Sequence, residues 1–229
     1  TPLKLATATV LALALTVSSA LAAPTVFIPL GTGNQVIAVD AATDRIIASY
    51  ANVIDAHGLV VTPDGEYVVA GSLKEMPAAA GSPPDAPTSK LYLVHPAHGH
   101  VMSTIPVAGW THHQAITPDG RYVLSTHPTR GGVSVVDLQS NQVVKTIATG
   151  PAPNYTVITR DGQRAFVTNS GNGTVSEIER ASWRVTRTME AGSAPEHLVI
   201  SDDEHTLYAL NPRAGTVTAV SVASGKITK

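Results

Sequence analysis

"GGVSVVDLQSNQVVKTIATGPAPNYTVITRDGQRAFVTNSGN", residues 131–172, is followed at once by "GTVSEIERASWRVTRTMEAGSAPEHLVISDDEHTLYALNPRA", residues 173–214. The two align without a gap: Val133 falls on Val175, Asp137 on Glu179, Gly150 on Gly192, Pro153 on Pro195 and Asp161 on Asp203, always 42 positions apart. Self-similarity at a fixed period of this size marks a repeat architecture, in which each unit buries its apolar faces against its neighbours. Stepping back 42 residues sets Leu91 under Val133 and Asp119 under Asp161, so residues 90–127 form an earlier copy. A further copy at 35–72 fits at a separation of 55, and the 13 extra residues fall in "KEMPAAAGSPPDAPT" (74–88), a Pro- and Ala-rich insertion suited to a surface loop.

Each copy divides into four short β-branched runs separated by turn signals, as in "LVVT", a turn at "PDG", "YVVAG", a second turn, then "VSVVD" and "VVKTIA". A repeat of about 40 to 45 residues carrying four strands is the unit of a β-propeller. The predicted fold is therefore all-β, a β-propeller of four-stranded antiparallel blades over residues 23–229. It should hold about four to five blades in an incomplete ring, since the last copy, "GTVTAVSVASGKITK", stops where its fourth strand should begin.

The segments "RAFVTNSGNGTVSEIE" (164–179), "TPDGRYVLSTH" (117–127) and "IATGPAPNYTVITRDG" (147–162) resemble the YVTN-type β-propeller repeat. The later copies depart from it where Arg160 and Asp202 replace the Pro of the Pro-Asp-Gly turn, and His95 replaces the strand-ending Asp. The resemblance implies that the first strand of each blade lies innermost and that the loop entering it opens at the mouth of the channel. The relatives it brings in include the haem-carrying propeller of cytochrome-type nitrite reductases and periplasmic metal carriers. It assigns fold strongly and function weakly, because the repeat serves many activities.

In that frame the column before the inner strand holds His57, His112, Asn154 and Glu196, and the next holds Gly58, His113, Tyr155 and His197. The column ending the second strand holds Ser72, His127, Asn169 and Asn211. Five of the nine histidines are thus expected on one rim. Neutral imidazole is a ligand for Zn or Cu, and Glu196 could complete a set with His57, His112, His113, His127 and His197. A haem-type tetrapyrrole would need a single axial ligand, for which His113 or His197 is placed. Metal affinity is expected to weaken as pH falls through roughly 6.5, where an unperturbed imidazole takes up its proton. A second cluster, His95, His98 and His100 in "VHPAHGHV", reads as an outer turn between the third and fourth strands.

Composition limits the alternatives. Of 229 residues 43% are hydrophobic and 14% charged, and there is no cysteine, so thiolate ligation and covalent haem attachment through cysteine are both excluded. "LATATVLALALTV" after Lys4, ending in "SSALAAP", reads as a signal peptide over residues 1–22, which predicts a periplasmic or secreted product with no membrane insertion after cleavage. Its removal takes one lysine and no acid, moving the formal charge from −2 to −3. A concentrated basic face for nucleic acid is not evident. The leading reading is a binding module with a His-rich mouth. The others are a cofactor-free scaffold that meets a protein partner through loop 74–88, and a hydrolase similar to propeller lactonases, for which no acid-rich metal column accompanies the histidines.

Overall fold

The computed structural model describes residues 24–83 and 86–229, so the leader expected over 1–22 lies outside the described residues. Eighteen strands and no helix occur among them. The strands form five antiparallel sheets. The first is β1 (Thr25–Leu30), β2 (Gln35–Asp40) and β3 (Arg45–Ala51); the second is β4 (Ala56–Val61), β5 (Val68–Ser72), β6 (Ser89–His95) and β7 (His100–Val107). The third is β8 (Gln114–Ile116), β9 (Tyr122–His127), β10 (Gly132–Asp137) and β11 (Gln142–Ala148); the fourth is β12 (Pro153–Ile158), β13 (Arg164–Asn169), β14 (Thr174–Glu179) and β15 (Arg184–Glu190). The fifth is β16 (His197–Ile200), β17 (Thr206–Asn211) and β18 (Thr216–Ser221), with a lone bridge from Val220 to Ile227 beginning a further pairing. This is the four-stranded antiparallel blade read from the repeat.

The period is written into the backbone. A register shift between the third and fourth strands falls at Ala38/Val39, Leu93/Val94, Val135/Val136 and Glu177/Ile178, repeating the spacings of 55, 42 and 42. A bulge adds twist at the outer edge of each blade, and a twisted blade fans around a ring where a flat one would only stack. The hairpin between first and second strands is also fixed by one device. Thr62, Thr117, Thr159 and Ser201 donate their hydroxyls to Asp64, Asp119, Asp161 and Asp203 two residues on, and each carboxylate accepts a backbone N–H at the far side of the turn.

The apolar cores lie between blades. One joins Val36, Ala38 and Tyr50 of the first sheet to Val68, Tyr92 and Val94 of the second. Leu91 and Ile105 meet Val123 and Val136 across the next gap, Leu124 and Val135 meet Val167 and Ile178 across the third, and Phe166 and Met189 meet Leu207 and Val220 across the last. The two outermost sheets each leave an apolar face bare, with Val26 and Ile28 at one end and Val199, Tyr208 and Val217 at the other. Faces of this kind are what an incomplete ring leaves uncovered. Among the described residues no helix is long and apolar enough to cross a membrane.

Candidate functional site

The inner strands are tied to one another by side-chain hydroxyls of the second strands. Thr126 Oγ1 accepts the N–H of His113 at 3.0 Å and donates to Asn154 O of the next blade at 2.8 Å. Thr168 repeats this one blade on, accepting from Tyr155 N–H at 2.9 Å and donating to Glu196 O at 3.4 Å. In the second sheet Gly71 holds the equivalent position, and the Thr111 hydroxyl of the following blade takes over, accepting Ser72 N–H at 2.6 Å. A Cβ on Gly71 would meet that oxygen at 2.1 Å, and one on Gly58 would meet His112 O at 2.6 Å. Thr126 and Thr168 each serve two backbones, so residues at the start of the inner strands sit in fixed succession from blade to blade.

That succession brings four of the five expected histidines together. The rings of His57 and His112 lie 4.7 Å apart, with Trp110 edge-on to His112 at 6.0 Å. His113 stacks on Tyr155 at 3.6 Å with an interplanar angle of 25°, and Tyr155 in turn meets His197 at 5.2 Å. His113 Nδ1 accepts the Thr156 N–H at 3.2 Å, which leaves the ring proton on Nε2 in the neutral form. Burial, then repulsion from His112, His197 and His57, pushes the His113 pKa down to about 3. His112 is lowered as well, by burial first and by His57 second, and its Nδ1 is buried without a hydrogen-bond partner. The result is a row of aromatic rings whose half-buried members stay neutral well below the ordinary titration of imidazole, so the expected threshold near 6.5 does not apply to His113.

His127 is a correction. It is buried and does not join the row. Its Nδ1 faces the carbonyls of Gly109 at 3.1 Å and Trp110 at 3.3 Å, so that nitrogen carries the proton, and Nε2 accepts the Ser134 hydroxyl at 2.8 Å. Both nitrogens are spent on the fold. The copies explain why: Asn169 donates to Ser176 at 2.9 Å and Asn211 to Thr218 at 3.0 Å, the same pairing with a hydroxyl seven residues on, with donor and acceptor exchanged. The column ending the second strand therefore clamps it to the third, and faces inward.

Glu196 lies with its carboxylate 3.8 Å from Arg213 Nε. Among the described residues no group of three or more His, Asp or Glu side chains is placed to hold a metal ion. The row of His57, His112, His113 and His197 presents an aromatic surface. His197 is exposed, with no hydrogen bond to its ring among the described residues, and so offers a nitrogen to an incoming group. Trp110 and Tyr155 belong to the row although neither stands out as a ligand. Tyr155 was legible through its place between His113 and His197 in the 42-residue register.

The second histidine cluster is a stack at the β6–β7 turn. His95 and His98 lie 3.9 Å apart and nearly parallel, His100 follows at 6.1 Å, and Tyr67 closes the other end edge-on to His95. Glu66 approaches His95 Nε2 at 3.6 Å, and His100 Nδ1 donates to His98 O at 2.8 Å. These contacts close the turn on itself.

No family model and no curated protein matches the sequence. Solved structures do match. Kuenenia stuttgartiensis hydrazine synthase superposes with a TM-score of 0.65 at 25% identity, over 76% of this chain and 48% of that one. A functionally unknown protein from Desulfotomaculum acetoxidans superposes with a TM-score of 0.72 at 18% identity, over 89% of this chain and 64% of that one. This chain therefore spans about half of the first and under two thirds of the second. Both are similar to it as propeller-like, all-β folds.

Proposed function

We propose that this chain is the propeller part of an exported binding module of the YVTN type, and that its histidine row receives a planar metallated tetrapyrrole. The observation that carries the reading is the succession His57, His112, His113, Tyr155 and His197, five flat rings from four consecutive blades. A flat conjugated ligand gains from such a surface by offset stacking. His113 and Tyr155 would flank it, and His197 would offer it a nitrogen ligand, since His113 Nδ1 and both nitrogens of His127 are engaged with the fold. The bound group would supply an electrophilic metal centre, while the chain would orient it beside His112 and His113, whose burial keeps them neutral. A bare Zn or Cu ion is the poorer fit, because no three donors converge among the described residues.

Absorbance titration with haemin and calorimetry with zinc test this. Haemin should saturate at one equivalent, with affinity lowered about tenfold or more by His197→Ala and unchanged by His127→Asn. Zinc should show no tight stoichiometric site. Failure of haemin to saturate would overturn the reading in favour of the cofactor-free scaffold.

A further inference from the structure

The residues that the second blade carries beyond the 42-residue period are not a free loop. Met76 N–H donates to Thr88 O at 2.7 Å, closing the insertion at its base. Glu75 accepts the Thr88 hydroxyl at 2.8 Å and pairs with Arg130 of the third blade at 2.6 Å. So anchored, Lys74, Met76, Pro87 and Thr88 form one wall of a cavity of about 520 Å³, whose other walls include Ile54, Tyr92 and Pro106. Ile54, Lys90, Tyr92 and Thr104 are shared with a second cavity of about 440 Å³, so that the two form one trough. Each volume lies within the roughly 300–1,000 Å³ of small-molecule sites.

The trough has a definite charge. Lys74 and Lys90 line it, and Lys90 Nζ stands 5.7 Å from the centre of the Tyr92 ring. Among the described residues no acidic side chain lines either cavity. Among the described residues neither lysine has a carboxylate partner. Two exposed ammonium groups at the rim favour an anionic head, and a small hydrophilic anion would leave the wall of Ile54, Met76, Tyr92 and Pro106 unused.

We infer that this trough binds a small amphipathic anion, a carboxylate head held between Lys74 and Lys90 with an aliphatic or aromatic body along Ile54, Met76, Tyr92 and Pro106. The site shares no residue with the histidine row and stands or falls apart from it. Calorimetric titration of the chain with decanoate, decanol and acetate tests it. Decanoate should bind at one equivalent, decanol at least tenfold more weakly and acetate without measurable heat. The double substitution Lys74→Gln/Lys90→Gln, at two exposed positions, should weaken decanoate about tenfold or more while leaving decanol unchanged. Met76→Asp, which sets an acid on the wall, should also weaken it, and His197→Ala should bind decanoate as wild type does. Absence of decanoate binding, equal binding of decanol, or undiminished binding by the double variant would each overturn the inference.

Discussion

Ser134 donates its hydroxyl to His127 Nε2 across 2.8 Å, and this one bond sets His127, which builds the blade, apart from the histidines of the aromatic row. His127 occupies the place that Asn169 and Asn211 hold in the next two copies, and it performs their task with a larger ring. His127→Asn should therefore cost less than about 1 kcal/mol, whereas His127→Ala, which strands Ser134 and two carbonyls and opens a cavity, should cost about 2–3 kcal/mol. Urea denaturation of the two variants measures both. Equal losses would deny the equivalence of the three copies.

The threonine stitches make a second prediction. Thr126→Val keeps the side-chain shape but leaves His113 N–H and Asn154 O without their shared hydroxyl. A loss of about 1–2 kcal/mol is expected, and Thr168→Val should match it because the bonds recur one blade on. Denaturation midpoints, with the slope unchanged, provide the measurement.

Two glycines in the second blade should respond for different reasons. Gly65 has φ of +74° with nothing within 4 Å of an added Cβ, so Gly65→Ala should cost only the left-handed backbone, about 1–2 kcal/mol. Gly71→Ala would drive its methyl into the Thr111 hydroxyl at 2.1 Å and the Gln114 amide at 2.3 Å, both buried, and should cost about 3 kcal/mol or more. Thermal melts rank the two, and the reverse order would contradict the packing of the second blade on the third.

Much of this was legible before the structure. The 42-residue period carried the blades, and the insertion was located by the excess of 13. The neighbours in the row, His57 with His112 and His113 with His197, followed from their columns. His127 did not, because side chains alternate along a strand and a column alone does not say which way its residues turn. The deciding sign was a hydroxyl seven residues beyond each member, at Ser134, Ser176 and Thr218. Nor could the spacing predict the depressed His113 pKa, which depends on burial beneath Tyr155, 42 residues away. The trough beside the insertion depends on how Glu75 reaches Arg130, a contact across 55 residues.

Stability should fall on mild acidification. An unfolded imidazole takes up its proton near pH 6.5, folded His113 does so at about 3, and buried His112 and His127 are shifted the same way. Between those values the unfolded chain binds more protons, so stability is full above roughly pH 6.5 and declines as pH falls toward 3. Each histidine kept neutral contributes a slope of at most about 1.4 kcal/mol per pH unit. Burial works against ionisation of Asp119, but bonds from Thr117 and Arg180 hold it at about 2, so the decline between pH 6 and 5 belongs to the histidines. His113→Phe with His127→Asn should flatten that interval. An unchanged slope would contradict the neutral row.

The proposed ligation of a tetrapyrrole metal by His197 is tested most directly by the absorption spectrum of the chain titrated with haemin. The wild-type chain should show an imidazole-ligated spectrum, His197→Ala should lose it, and added imidazole should restore it in the variant while leaving the wild type unchanged. A spectrum identical in wild type and His197→Ala, with no response to imidazole, would contradict the account.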